Sequence, residues 1–356
     1  MRKVWQPSEF QEISLAEFCE RVGWRTTAPT PDRARRDIID ALATVAWFRF
    51  LQSKWPDSTP YAVGQRVEPE GYSVNEFGEH SHSNKWAKYA RGLHVPNKVL
   101  VNKAEHLVPG SSRVLNSALW QVLRRSPSSA QAVTLPEAML GHEAQRVVAR
   151  WRAPSNTTIG CAPGGFGRNL ESLASLDALA VMVLWCQAAQ LLGDSDSASD
   201  WVYRIYKMLL LLGGDLYTLG IARPLFELLQ ARVLRDVARA GWRYHFPAEL
   251  YTSAIEYMFD AAQQAKGTPF PLLTSKQRTR RLQQVIEGRF GKDCMFALNP
   301  VRQPVGSADV ITELDLRNCE IERRGFEWAW SLRREGIVHT GYPPMHVLLG
   351  TEAPTE

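Results

Sequence analysis

The sequence predicts a mainly α-helical, multi-helix protein. Three observations carry that expectation. Apolar residues recur at three- and four-residue spacing through most of the 356-residue chain, the period of a helix with one buried face. Alternating β-branched runs are nearly absent, and the best strand candidates are two short stretches, 305–316 and 337–349. Ser, Thr, Asp, Pro and Gly stand where helices would start and stop. A Pro/Ser/Ala stretch at 126–133 then marks a boundary near residue 130. It divides an N-terminal helical region, 1–130, from a larger C-terminal helical bundle, 131–356.

In order, a first helix is expected at 14–22, with Leu15, Phe18, Cys19 and Val22 on one face. A longer one, capped by Asp32 and running through 33–55, buries Ile38, Ile39, Leu42, Val45, Ala46 and Phe50. Its first turn carries Arg33, Arg35 and Arg36, where the helix dipole disfavours positive charge. The next stretch, 56–78, reads as a long connection. It holds Gly64, Pro69, Gly71 and Gly78 and shows no helical period. At its end Glu76, Glu79, His80 and His82 could together hold a divalent metal or supply a base and an acid. The run lacks the i, i+4 spacing of two histidines on a helix, so a polar loop is the default reading.

Charge is the most informative feature. Between His80 and Arg125 there are eight Lys/Arg against one acid, Glu105, a local +7 in a chain whose total is +5. The rest of the protein therefore sums to about −2, and the basic character is local. A local basic patch is the footprint of a surface that meets phosphate. Within it Ser83 or Asn84 can cap a short helix. Trp86, Tyr89 and Ala90 share one side of it, while Asn84, Lys85, Lys88 and Arg91 share the other. Gly92 stops it. Pro96 opens a second helix with Val99 or Leu100, then Ala104, then Leu107 inside. Pro109-Gly110 ends that one, and Ser111 or Ser112 caps a third reaching Arg125.

The run Asn84-Lys85-Trp86, Tyr89, Arg91-Gly92 and Pro96, followed by an apolar helix, resembles the second half of a Cro/C1-type helix-turn-helix. The resemblance spans about residues 82–110. It implies that Ser83, Asn84, Lys85 and Lys88 face the major groove, with Trp86 and Tyr89 on the core side. Arg91, Lys98 and Lys103 complete the candidate nucleic-acid-binding set. A supporting helix should precede this segment, but 61–79 shows no period for one; it could come from elsewhere in the chain, 33–55 being one source.

Beyond the boundary, helices are expected at 136–151, 176–192, 201–212, 224–239 and 247–266. The 176–192 stretch is apolar on nearly all faces and should be packed on every side. The glycine-rich run 160–167 precedes a helix. It lacks the Lys-Ser/Thr of a P-loop and has no strand before it, so it reads as a turn or hinge. A second basic stretch, 275–292, carries Leu282, Val285, Ile286 and Phe290 as an apolar stripe. From 320 to 335 charges alternate around Phe326, Trp328 and Trp330.

No nucleophile–base pair or cofactor fingerprint is evident, so no cofactor and no metal is expected. The five cysteines are dispersed without a CxxC pair, which argues for reduced thiols and a cytoplasmic setting. The first eighteen residues lack the continuous apolar core of a secretory signal. No apolar run reaches the length of a membrane span, so no membrane partner is expected. The function these features suggest is a nucleic-acid-associated, DNA-binding protein of the kind that regulates transcription. Its C-terminal bundle would bind a protein partner or itself. Two alternatives stand beside it: a helical protein–protein interaction module without nucleic acid, and a metal-dependent hydrolase using the 76–82 cluster.

Overall fold

The computed structural model describes residues 13–23, 37–55, 59–74, 80–82, 84–125, 137–152, 164–265, 267–305, 311–337 and 341–351. The chain is mainly α. In order come α1 (Leu15–Arg21), α2 (Ile38–Lys54), α3 (Pro60–Val67), β1 (Tyr72–Val74), β2 (His80–His82), α4 (Lys85–Ala90), α5 (Lys98–Leu107), α6 (Ser111–Leu115) and α7 (Ala118–Arg124). There follow α8 (His142–Arg152), α9 (Gly164–Leu173), α10 (Leu176–Leu191), α11 (Ser195–Leu211), α12 (Gly213–Thr218), α13 (Ala222–Leu229) and β3 (Trp242–His245). The last are α14 (Tyr251–Gln264), α15 (Ser275–Ile286), α16 (Lys292–Leu298), β4 (Val301–Pro304), α17 (Glu313–Arg334) and α18 (Met345–Leu349). Two compact units result: 1–126 with 214–228, and 127–213 with 229–356.

The first unit is organised around α2. Its cap is Asp37, whose carboxylate accepts from Ile39 N at 3.1 Å, and not Asp32, which lies with Arg33, Arg35 and Arg36 outside the described residues. Trp47, Phe48 and Leu51 of α2 are fully buried against Val63, Val67, Trp86, Leu100 and Ala104. Each large aliphatic side chain so buried stabilises by roughly 1.5–3 kcal/mol. Leu15 N donates to Glu227 at 2.6 Å, and Arg223 pairs with the same carboxylate at 2.8 Å, so α1 and α13 are held together.

Several expectations for this unit are corrected. The 56–78 stretch contains α3, capped by Thr59 and opened by Pro60. Its buried positions are Val63, Gly64 and Val67, and a glycine in a buried slot leaves no apolar period to read. The helix expected from Ser111 to Arg125 is two helices. Asn116 ends α6, and the Ser117 side chain caps α7 by accepting from Leu119 N.

The second unit centres on α10 and α11. Nearly every residue of α10 is buried, as its all-round apolarity predicts. Phe166 of α9 packs between Trp151, Trp185 and Trp201. The strands lie elsewhere than expected: β3 and β4 form an antiparallel pair with Trp242 opposite Pro304 and His245 opposite Val301. Of the two stretches expected as strands, 306–310 and 338–340 lie outside the described residues, and the described parts include the first turn of α17 and all of α18. The second basic stretch is broken at Gly288 and Gly291, both with positive φ, so Phe290 lies outside α15. The alternating-charge segment lies within α17, where Phe326 and Trp330 are buried. Among the described residues no helix is long and apolar enough to cross a membrane.

Candidate nucleic-acid interface

The interface is built from the inner side outward. Trp86, Tyr89 and Ala90 fall on one face of α4 and are buried. Trp86 stacks on Trp47 with ring centroids 5.8 Å apart, and Tyr89 meets both rings edge-on. Such pairs add to the burial of the rings themselves. Gly64 of α3 lies so close that a Cβ there would overlap the Tyr72 hydroxyl and the Trp86 ring. After α4 the chain turns at Gly92 (φ 71°), which passes the backbone of α2 closely: a Cβ would stand 3.0 Å from the Ala41 carbonyl oxygen. The left-handed turn and the close approach both require glycine.

The outer side carries the charge. Asn84, Lys88 and Arg91 are exposed, and so is Lys98 at the start of α5. Among the described residues Lys88 and Lys98 have no ion-pair partner. Arg91 Nε donates to the Ala87 carbonyl at 3.3 Å within its own helix. Asn84 occupies the cap position without a side-chain capping bond. Ser83 lies outside the described residues. Asn97 caps α5 by accepting from Leu100 N at 2.9 Å.

The remaining candidates are held by carboxylates. Lys85 Nζ donates to Glu68 at 2.8 Å, and the same carboxylate accepts from Trp86 Nε1 at 3.3 Å. Lys103 pairs with Glu70. That bond holds the Glu70 carboxyl below its ordinary range and raises the Lys103 ammonium. Arg124 pairs with Asp40. Glu68 and Glu70 follow α3 and were missed because they lie just outside the basic window in sequence.

The one acid inside the window, Glu105, does not neutralise this face. Its carboxylate is partly desolvated, yet it accepts from Gly110 N and Ser112 N, each at 2.7 Å, and these bonds bring its pKa below the usual value. From α5 it satisfies free N–H groups at the start of α6, whose cap position is Gly110.

In α5 the expected inside positions Leu100 and Ala104 hold, but Leu107 does not. Leu100, Val101 and Ala104 are buried, whereas Val99 and Leu107 are exposed. The helix before α4 is α3, with a 3-10 turn at Pro69–Gly71 and the β1–β2 hairpin between them. A short turn, as the helix-turn-helix resemblance implies, does not join them.

Other candidates can be placed. Glu76 and Glu79 lie outside the described residues, and β2 describes only the backbone of His80 and His82. Among the described residues no group of three His, Cys, Asp or Glu could hold a metal. Gly164–Gly167 opens α9, and Gly160–Pro163 precedes the described part. On α15, Arg278 and Arg281 donate to the carbonyls of Pro271, Leu273 and Thr268. Lys276 and Arg280 are exposed there. Cys19, Cys186, Cys294 and Cys319 are free thiols. No known protein family, curated protein or solved structure matches the chain.

Proposed function

We propose that this is a nucleic-acid-associated protein of regulatory type, working in the cytoplasm, that lays the outer side of α4 and the start of α5 against duplex DNA. The observation that carries the reading is the two-sidedness of α4. Its inner face is fixed by Trp86 and Tyr89 on the aromatic core, so Asn84, Lys88 and Arg91 are held at a set position facing outward, and Lys98 is exposed at the start of α5. Unpartnered lysines on a fixed surface neutralise phosphates at little cost in side-chain rearrangement, and released counterions then drive association. Lys85 and Lys103 join this face to the extent that phosphate displaces Glu68 and Glu70. The helix-turn-helix resemblance assigns α4 the same outward role, with Ser83 and Asn84 nearest the bases.

The test is binding of random-sequence duplex DNA titrated with salt. Lys88→Ala and Lys98→Ala should each lower the magnitude of the log K against log salt slope by about 1, with the melting temperature unchanged. A slope that neither substitution moves would remove the reading.

A further inference from the structure

On the side of α5 away from the core there is an open groove of about 520 Å³. Its floor is Val67 and Pro69, at and just beyond the end of α3, and its wall is the outer face of α5. Two apolar side chains stand in that wall, Val99 at 66% exposure and Leu107 at 51%. They are eight residues apart, about 12 Å along the helix axis. Apolar side chains left open beside a polar rim are a common mark of an interaction surface.

The cationic groups on the rim are Arg66 and Lys103. Arg66, Lys103 and His106 are the ionisable groups lining the groove. Arg66 rests its guanidinium 5.4 Å from the centroid of the Trp55 ring, which fixes the charge at the groove edge. Glu70, which holds Lys103, is itself 60% exposed, so an incoming carboxylate can replace it.

We infer that this groove docks an acidic amphipathic helix of another protein. Two apolar side chains of that helix, two turns apart, seat against Val99 and Leu107 over Val67 and Pro69. Its carboxylates face Arg66, Lys103 and His106. This is the helix-in-groove mode of recognition, with anchors at helical spacing. A duplex offers only single thymine methyls and sugar edges, not a continuous apolar face to cover Val99 and Leu107 together, and a second copy presenting the same face would set Arg66 and Lys103 against their own kind. The inference does not rest on the DNA reading, whose test uses Lys88 and Lys98; the two surfaces share only Lys103.

The experiment uses the full chain and two labelled helical peptides, followed by fluorescence anisotropy. One carries leucines two turns apart on one face with glutamates flanking them; the other has lysine in place of every glutamate. The acidic peptide should bind at least about tenfold more tightly than the lysine peptide. Val99→Ser with Leu107→Ser should weaken it by about tenfold or more. Both positions are exposed, so this variant should fold, and Lys88→Ala with Lys98→Ala should leave peptide binding unchanged. Equal binding of the two peptides would overturn the inference, as would acidic-peptide binding that the serine variant leaves intact. Sedimentation velocity showing a dimer that the serine variant abolishes would overturn it too, because the groove would then belong to a second copy.

Discussion

One charge pair from each unit shows two different uses of the same chemistry. In the first, Lys103 and Glu70 meet at the surface with 41% and 60% of their side chains exposed. In the second, Glu171 of α9 is buried, with 4% of its side chain exposed; it accepts from Arg204 at 2.8 Å and stands in an ion pair with Lys207 at 3.6 Å. Asp200 takes the other side of Arg204 at 3.0 Å. Gly167 permits this packing, since a Cβ there would lie 2.6 Å from Arg204 Cζ. Exposed pairs contribute little stability and exchange readily, whereas breaking a buried pair strands a charge away from water. The same chemistry therefore locks α9 to α11 around Glu171 and leaves the Lys103 pair open to exchange at the surface.

Removing charge from the buried network should have the largest effect of its kind. Glu171→Gln keeps the shape but leaves Lys207 unpaired and Arg204 with Asp200 alone. It should cost about 3 kcal/mol of stability in chemical denaturation. If the melt is unmoved, the contrast between the two pairs fails.

Trp86→Ala tests the footing of the exposed cations. The ring is 1% exposed, and its loss should cost on the order of 3–5 kcal/mol. Gly64→Ala presses a methyl group into the same ring and into Tyr72, and should cost about 1–3 kcal/mol. Both act through packing, so calorimetry should register them whatever the protein binds. The smallest effect on folding belongs to Glu70→Gln. It should leave the melting temperature essentially unchanged while raising the magnitude of the DNA salt slope by up to about 1, because Lys103 is released.

How far the sequence foretold these features depends on where each contact lies. The inner face of α4 was legible because Trp86, Tyr89 and Ala90 repeat locally, and α10 because it is apolar all round. The helix α3 was not, because Gly64 makes its contact by having no side chain. Val99 or Leu100 was an open choice in sequence, and only packing against α2 and α3 selects Leu100. The pairing of Lys103 with Glu70 joins residues 33 apart, and β3 meets β4 across still longer separations. No local pattern reports contacts of that kind. The basic window therefore overstated the free charge, since Glu68, Glu70 and Asp40 each hold one of its cations.

The central claim is that Lys88 and Lys98 form a free cationic face which meets duplex DNA. It is tested most directly by the salt slope of the Lys88→Ala, Lys98→Ala double variant beside that of the wild type. The account predicts a slope smaller in magnitude by about 2, at an unchanged melting temperature. A double variant that binds duplex DNA with the wild-type slope would contradict it.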